Sequence, residues 1–280
     1  MTARPYGNNV LITGASSGIG LACLLLFCER GFRVWGVSRS GTSAVSLPDA
    51  ARLSVLDVTD EQSVETGIRR IWDEAERETG TGIGTVIHCA GFGIGGAAED
   101  TPIADVASQF DTNYFGVLRV DRVLLPLMRE RGDSLVIVLG SIAGRISIPF
   151  QSHYSATKFA VEAYIEALRM EGKHFGIRAA IIEAGDTKTE FTARRRMAIP
   201  EGSVYRAQAV RSVARMEKDE RNGYLPERVA RAVLHVALKR NPPVRQAVGF
   251  SYTLLMFLKR ILPDRLAEQV LSSMYLPKER

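Results

Sequence analysis

The chain has 280 residues, of which 46% are hydrophobic and 24% charged. This is the usage of an ordinary globular protein and excludes a disordered or collagen-like chain. The formal net charge is +5, and its basic excess lies at one end: residues 190–280 hold 18 Lys and Arg against 9 Asp and Glu, whereas residues 1–189 hold 18 against 22. Basic motifs interleaved with aromatic residues are missing, so we expect no nucleic-acid partner.

The cysteines, the histidines and the apolar runs further limit the possible classes of protein. The three cysteines, Cys23, Cys28 and Cys89, lie in apolar stretches and predict no disulfide framework. The four histidines show no paired ligand spacing, so we expect no metal site. No apolar run reaches the ~20 residues of a membrane-spanning helix, and no signal peptide is recognisable at the start. We therefore expect a cytoplasmic protein.

Short apolar runs and amphipathic stretches alternate from the N-terminus to residue 189. The runs are continuous rather than alternating, which is typical of parallel strands buried on both faces. We predict one α/β domain over residues 1–280, with a doubly wound, Rossmann-like parallel sheet and helices on both faces. The predicted strands are 9–13, 33–37, 53–58, 85–89, 134–139 and 178–182, and the predicted helices are 20–30, 59–79, 109–131 and 151–174.

The pattern changes after residue 189. Residues 190–224 are polar and Arg-rich, which predicts a mobile insertion that acts as a lid over the substrate. Residues 225–280 predict a C-terminal extension with a helix at 226–240, one more strand at 244–248 and an apolar helical stretch at 251–274 that is interrupted at Pro263. The last stretch has two interpretations, a helix packed on the domain or a partner subunit, and an interfacial helix on a membrane.

A glycine-rich turn follows the first predicted strand and opens the first predicted helix. It reads Thr13-Gly14-Ala15-Ser16-Ser17-Gly18-Ile19-Gly20. Glycines let the backbone approach a pyrophosphate, and the helix N-terminus offers free N–H groups to it. Any tight turn between a strand and a helix uses glycine, but the flanking elements favour nucleotide binding here.

Together with Tyr154-x-x-x-Lys158, this Gly-x3-Gly-x-Gly spacing resembles the short-chain dehydrogenase/reductase family. The motifs follow the family's order over about residues 8–190. The chain is most similar in kind to the hydroxysteroid, retinol and lipid-ketone dehydrogenases. The supporting positions are Asp57-Val58 after the third strand, Cys89-Ala90-Gly91 where the family usually has Asn-Asn-Ala-Gly, Asn113 in the long helix, and Ser141 after the fifth strand.

The candidate catalytic residues are Ser141, Tyr154, Lys158 and Asn113. Tyr154 and Lys158 lie one helical turn apart, so the lysine ammonium can lower the pKa of the phenol and make it an acid or base. Ser141 can hydrogen-bond the substrate oxygen as charge develops there. The resemblance implies that Lys158 also holds the nicotinamide ribose and that Asn113 holds a water. As alternatives, Tyr154 and Lys158 form a surface pair, Ser141 is a turn residue, and Asn113 is an ordinary polar helix residue.

The cofactor is expected to be NADP(H). Enzymes specific for NAD usually carry an acidic residue after the second strand, whereas this chain has Ser38-Arg39, which can bind a 2′-phosphate. Ala184-Gly185 replaces the family's Pro-Gly, which should loosen that turn, and Asp186 adds a charge. The expected cofactor-binding residues are Gly14, Ser16, Ser17, Gly18, Ile19, Gly20, Ser38, Arg39, Asp57, Val58, Cys89, Ala90, Gly91, Tyr154, Lys158, Gly185, Thr187 and Thr189.

These features predict an NADP(H)-dependent oxidoreductase that interconverts a secondary alcohol and a ketone on a hydrophobic substrate, such as a steroid, retinoid or lipid. The alternative is a non-catalytic NADP(H)-binding redox sensor of the same fold. The resemblance implies a homodimer or homotetramer built on helices 109–131 and 151–174. The expected apolar substrate contacts are Phe92, Ile94, Ile142, Ile146, Ile148, Phe150, Phe191 and Met197.

Overall fold

Seven parallel strands form the central sheet in the computed structural model, which describes residues 4–276. Strands β1 to β9 are Asn9–Thr13, Arg33–Ser38, Ala51–Val55, Thr85–His88, Ile94–Gly95, Ser134–Leu139, Ile177–Glu183, Arg196–Met197 and Arg245–Ala247. The sheet order is β3-β2-β1-β4-β6-β7-β9, and β5 pairs with β8 in a separate two-stranded sheet. The predicted doubly wound parallel sheet is confirmed. Its order reverses between β1 and β4, and such a switch point is where open α/β sheets bind ligands.

Helices cover both faces of the sheet. Helices α1 to α9 are Gly18–Glu29, Glu61–Thr79, Ile103–Phe110, Gly116–Arg131, Ser152–Glu171, Arg206–Arg221, Pro226–Ala237, Phe250–Ile261 and Asp264–Tyr275. The side chains of α1 and α7 form one apolar layer with the sheet, and those of α2, α4 and α5 form the other. No helix within residues 4–276 is long and apolar enough to cross a membrane.

A third apolar cluster lies at the carboxyl end of the sheet. Met216 of α6 and Met256 of α8 are buried there against Ile142 and Ile146, which follow β6. Leu271 of α9 packs against the same cluster. The C-terminal helices therefore cover the end of the sheet at which the predicted catalytic residues lie.

Three local predictions differ from the structure. The third strand ends at Val55 rather than 58, because Asp57 turns the chain by accepting hydrogen bonds from the Thr59 amide and hydroxyl, at 2.9 and 2.8 Å. The long helix begins at Ile103 rather than 109, and a π-helical turn at Asp111–Phe115 joins α3 to α4. Half of the polar segment 190–224 is the packed helix α6, where we predicted no regular element.

Candidate active site

The glycine-rich turn fits the pyrophosphate of a dinucleotide. Gly14 has a φ of +66°, and a Cβ there would lie 2.8 Å from the Ala90 nitrogen. A Cβ on Gly20 would lie 2.2 Å from the Gly14 oxygen, so the helix approaches the turn backbone directly. Ser17 is the N-cap of α1 and its side chain makes no capping bond, which leaves the first helical N–H groups to an anion.

Ser141, Tyr154 and Lys158 line one cleft of about 860 Å³, measured with its open mouth. Ser141 begins the 3-10 turn Ile142–Gly144, and its hydroxyl accepts a hydrogen bond from the Ala143 amide at 3.1 Å. The Ser141 side chain also acts on the Tyr154 phenol, whose pKa it lowers. Lys158 extends from α5 beneath the cleft, and its Nζ donates to the Leu139 carbonyl at 2.8 Å. The structure thus brings the three predicted catalytic side chains together.

Burial dominates the electrostatics of the two titratable groups. It raises the pKa of Tyr154 to about 12, although the Ser141 hydrogen bond acts in the opposite direction. Burial also lowers the pKa of Lys158 to about 8, and the nearby Glu162 opposes this change. The expected lowering of the phenol pKa by Lys158 is therefore absent from this state of the site. The lysine Nζ lies 5.8 Å from the Tyr154 ring centroid and donates to a carbonyl.

Asn113 lies in the π-helical turn and fastens a loop to α5. Its Nδ2 donates to the Phe92 carbonyl at 3.0 Å and to the Thr157 hydroxyl at 3.2 Å, and its Oδ1 accepts from the Phe92 amide at 3.0 Å. Both amide hydrogens have protein partners, so neither remains for the water that the resemblance implied. In this structure the Asn113 side chain positions the backbone of residues 89–92, at the edge of the cleft.

The predicted adenosine contacts lie at the carboxyl ends of β2 and β3. The Ser38 hydroxyl accepts from the Gly41 amide at 3.1 Å and closes the loop after β2. Arg39 is exposed, with no hydrogen bond or ion pair to any other residue in the part of the chain that the structure describes. Val58 is buried against Gly116, and Asp57 holds the turn described above. Within the described residues, Arg39 is thus an exposed cation without a protein partner just after β2.

The turn after β7 is held more firmly than its lack of proline predicts. Tyr252 of α8 donates to the Asp186 carboxylate at 2.6 Å and accepts from the Asp186 amide at 3.0 Å. Its ring lies so close to Gly185 that a Cβ there would be 2.2 Å from it. The Thr187 hydroxyl donates to the Gly185 carbonyl at 2.9 Å. The prediction of a loosened turn is therefore wrong, because a C-terminal helix restrains it.

Several cleft residues lie outside the predicted set. Arg195 is buried, with a 1% exposed side chain, and forms an ion pair with Glu220 of α6. Glu220 also accepts from the Thr192 hydroxyl at 2.6 Å. This pair anchors the segment after β7 beside Tyr154. Nothing in the run Arg194-Arg195-Arg196 distinguishes the buried arginine from its exposed neighbours, so the sequence carried no signal for it. The unpredicted residues that line the cleft itself are Leu139, Gly140, Gln151, Ala184, Asp186, Met216, Glu220 and Tyr275.

The remaining predicted residues fall into two groups. Besides Tyr154 and Lys158, the expected cofactor contacts that line the cleft are Ile19, Cys89, Gly91, Gly185, Thr187 and Thr189, and the others lie outside its lining. Among the apolar substrate contacts, it is lined by Phe92, Ile142, Ile148 and Phe191. Ile94 and Ile146 are instead buried in the core, and Phe150 and Met197 are outside the lining. Residues 4–276 contain no cluster of potential metal ligands.

Comparison with known proteins identifies the family. Residues 8–199 match the family model described as short chain dehydrogenase. The chain belongs to the short-chain dehydrogenase/reductase family. It is 36% identical to the 3-ketodihydrosphingosine reductase of Bacteroides thetaiotaomicron, over 95% of this chain and 97% of the relative. It is 28% identical to retinol dehydrogenase 8 of Bos taurus, over 91% and 86% of the two chains.

Solved structures agree with this membership. A short-chain dehydrogenase from Streptomyces avermitilis superposes with a TM-score of 0.76 at 28% identity, covering 97% of each chain. Two structures of similar fold, at 20% and 19% identity, are complexes with NADP and with NAD respectively. The chain is therefore an oxidoreductase of this family that acts on CH–OH groups, and structural relatives bind NADP or NAD.

Proposed function

We propose that this protein interconverts a secondary alcohol and a ketone on a hydrophobic substrate, with NADP(H) as cofactor. The observation that carries the proposal is the convergence of Ser141, Tyr154 and Lys158 on one cleft beside the glycine-rich turn. A nicotinamide bound there would supply or accept the hydride. The chain's own residues must then orient the substrate and move one proton.

Tyr154 is the proton donor for ketone reduction. Because burial raises the pKa of its phenol to about 12, the group keeps its proton at neutral pH, as an acid must before it donates. Ser141 hydrogen-bonds the same substrate oxygen and stabilises the charge that develops on it. Lys158, with a pKa lowered to about 8 by burial, can exchange protons near neutral pH and restore the phenol after turnover. Asn113 is a positioning residue, which holds the loop at Phe92.

Arg39 supports NADP(H) over NAD(H). Its guanidinium is exposed beyond β2, and Ser38 occupies the place where an acidic residue would repel a 2′-phosphate. A guanidinium binds phosphate oxygens through two N–H groups at once.

The cleft lining and the relatives support an apolar substrate, such as a lipid, retinoid or steroid. Apolar residues that line the cleft include Phe92, Ile142, Ile148, Phe191 and Met216. The names of the two relatives above refer to a long-chain lipid ketone and to a retinoid. One of them shares 36% of its residues with this chain over nearly its full length.

A panel of steroid, retinoid, long-chain and aromatic ketones, followed by NADPH absorbance, tests the proposal. We expect turnover of at least one lipid-like ketone, and Tyr154→Phe should lower kcat by ~100-fold or more with NADPH affinity unchanged. Tyr114→Phe removes a phenol outside the cleft and should keep full activity.

The alternative is a non-catalytic redox sensor. It predicts tight NADPH binding, no turnover across the panel and no effect of Tyr154→Phe on function in the cell. That combination of results would contradict the proposed enzyme activity.

A further inference from the structure

The outward face of α8 is apolar along its whole length. Five large side chains are exposed at intervals of four, three, one and three residues, which places them in one stripe of an α-helix. Phe250 is 80% exposed, Phe257 58% and Ile261 59%, with Leu254 and Leu258 between them. No described residue covers this face.

Helix α8 uses its opposite face to pack on the domain. Met256 is buried there, and Tyr252 and Leu255 contact the third apolar cluster. The helix is thus apolar on both sides, although core packing needs only one. The outward side chains contribute nothing to this core, so their composition needs another explanation.

Helix α9 repeats the arrangement. Leu266, Val270 and Met274 are exposed at intervals of four residues, whereas Ala267 is buried. With the five residues of α8 they give eight exposed large apolar side chains within residues 250–274, which we call the apolar stripe.

The charges beside the apolar stripe are basic on α8. Lys259 and Arg260 lie at its C-terminal end, and the helix contains no acidic residue. Arg265 follows at the start of α9 and is exposed, although Asp264 and Glu268 partly offset it. The whole segment 190–280 has twice as many basic as acidic residues. Exposed apolar residues bordered by cations are typical of helices that lie in the headgroup region of anionic membranes.

The same helices lie next to the catalytic cleft. Tyr275 of α9 lines the cleft, and Tyr252 of α8 restrains the turn at Gly185 and Asp186. If the outer sides of α8 and α9 contact lipid, only the thickness of a helix separates the lipid from the catalytic cleft.

We infer that α8 and α9 dock this protein on the surface of an anionic lipid bilayer. The apolar stripe enters the interface, and Arg260 and Arg265 meet the phosphate headgroups. Each helix has 12 residues, so neither can cross the bilayer, and both lie along it. Binding requires neither cofactor nor substrate, so it can be tested independently of the proposed activity.

Co-sedimentation of the full chain with phosphatidylcholine vesicles, with and without 30% phosphatidylglycerol, tests the inference. We expect binding to the anionic vesicles that weakens at high salt. The double variant Phe257→Glu, Ile261→Glu should bind at least ~100-fold more weakly, since each lost apolar side chain costs about tenfold or more. Ile103→Glu is the matched control, because it charges an equally exposed apolar residue on α3 and should not change binding.

Three results would overturn the inference. The wild-type protein stays in the supernatant with both kinds of vesicle, or the double variant binds as tightly as the wild type. In the third, the wild type is a dimer, the double variant is a monomer, and neither binds vesicles. The last result would show that a second copy of the chain covers the apolar stripe. Circular dichroism and a melting curve of the double variant check that it is folded, which is expected because both substituted side chains are exposed.

Discussion

Lys158 places an amine where the surroundings disfavour its charge. The side chain is buried, donates to the Leu139 carbonyl, and has a pKa lowered to about 8. In the unfolded chain a lysine titrates near pH ~10.4. The folded protein therefore binds this proton more weakly than the unfolded chain does, so the group opposes folding at neutral pH. A site that needs an amine able to exchange protons near neutral pH accepts a loss of stability for it.

Lys158→Met should reveal this loss. The free-energy penalty for burying the ammonium is roughly 3 kcal/mol at pH 7, where the lysine is mostly protonated in both the folded and the unfolded chain. It shrinks to roughly 2 kcal/mol at pH 9, because the lysine of the folded chain has then mostly lost its proton. Urea unfolding of the wild type and the variant should therefore show that the stability of the variant relative to the wild type is about 1 kcal/mol lower at pH 9 than at pH 7.

The change with pH is the diagnostic quantity, because the lost hydrogen bond to Leu139 adds an offset that does not depend on pH. Lys173→Met, at an exposed lysine, should give the same difference at both pH values. A pH-independent difference for Lys158→Met would contradict the lowered pKa.

At the scale of secondary-structure elements, α8 takes over a task that the resemblance assigns to proline. Tyr252 accepts one hydrogen bond from Asp186 and donates another to it, so a side chain 66 residues further along the chain fixes the turn after β7. Burial raises the pKa of the Asp186 carboxyl, and the Tyr252 hydrogen bond opposes this rise. The turn and the helix are thus one structural unit.

Tyr252→Phe should break the connection between the turn after β7 and helix α8. The variant removes both hydrogen bonds and leaves the Asp186 amide and carboxylate partly buried without this partner, which should cost about 1–3 kcal/mol of unfolding free energy. The looser turn should also weaken NADPH binding severalfold, as measured by fluorescence titration.

Tyr224→Phe is the matched control. The Tyr224 ring meets Tyr252 edge-on at 6.1 Å, and its hydroxyl makes no hydrogen bond within residues 4–276. Equal losses in the two variants, or no loss in Tyr252→Phe, would contradict the role of the bonds to Asp186 in restraining the turn.

Elements with strong periodicity were predictable from the sequence, and elements defined by distant contacts were not. Continuous apolar runs located β1, β6 and the other inner strands of the sheet. Helix α6 was missed because its buried residues, such as Val213 and Met216, are diluted by charged ones.

The same distinction applies to the site. Ser141, Tyr154 and Lys158 share a motif order that can be read along the chain, so their convergence was predictable. The contacts of Tyr252 with Asp186 and of Arg195 with Glu220 join residues that no local pattern connects. The apolar stripe was visible as composition, but only the packing of Met256 shows which face of α8 is turned outward.

At the scale of the whole molecule, the N-terminal part of the chain lacks the net positive charge that would attract a phosphorylated cofactor. Residues 1–189, which contain the glycine-rich turn and Arg39, hold more acidic than basic residues. The proposed function therefore requires a local attraction of the cofactor, which we expect from backbone amides at the start of α1 and from Arg39.

A thermal-shift comparison of NADP⁺ and NAD⁺ tests this local recognition. At ~100 times its Kd, NADP⁺ should stabilise the fold by about 2.7 kcal/mol, which corresponds to a rise in Tm of at least about 5 °C. NAD⁺ at the same concentration should give a smaller rise, and Arg39→Ala should reduce the NADP⁺ shift to the NAD⁺ value.

Arg231→Ala removes an equally exposed arginine from α7 and should leave both shifts unchanged. Equal shifts for the two cofactors in the wild type, or a larger one for NAD⁺, would contradict the proposed preference.

Helix α8 connects the outer surface of the protein to the turn after β7, which lies at the proposed cofactor site. One face of the helix holds Asp186 through Tyr252, and the other carries Phe257 and Ile261 into solvent. Any partner that shifts α8 when it binds the outer face changes the affinity for nicotinamide cofactor by some factor. Thermodynamic reciprocity then requires the cofactor to change the affinity for that partner by the same factor. Bound nicotinamide nucleotide would in this way change how tightly the outer face of α8 holds its partner.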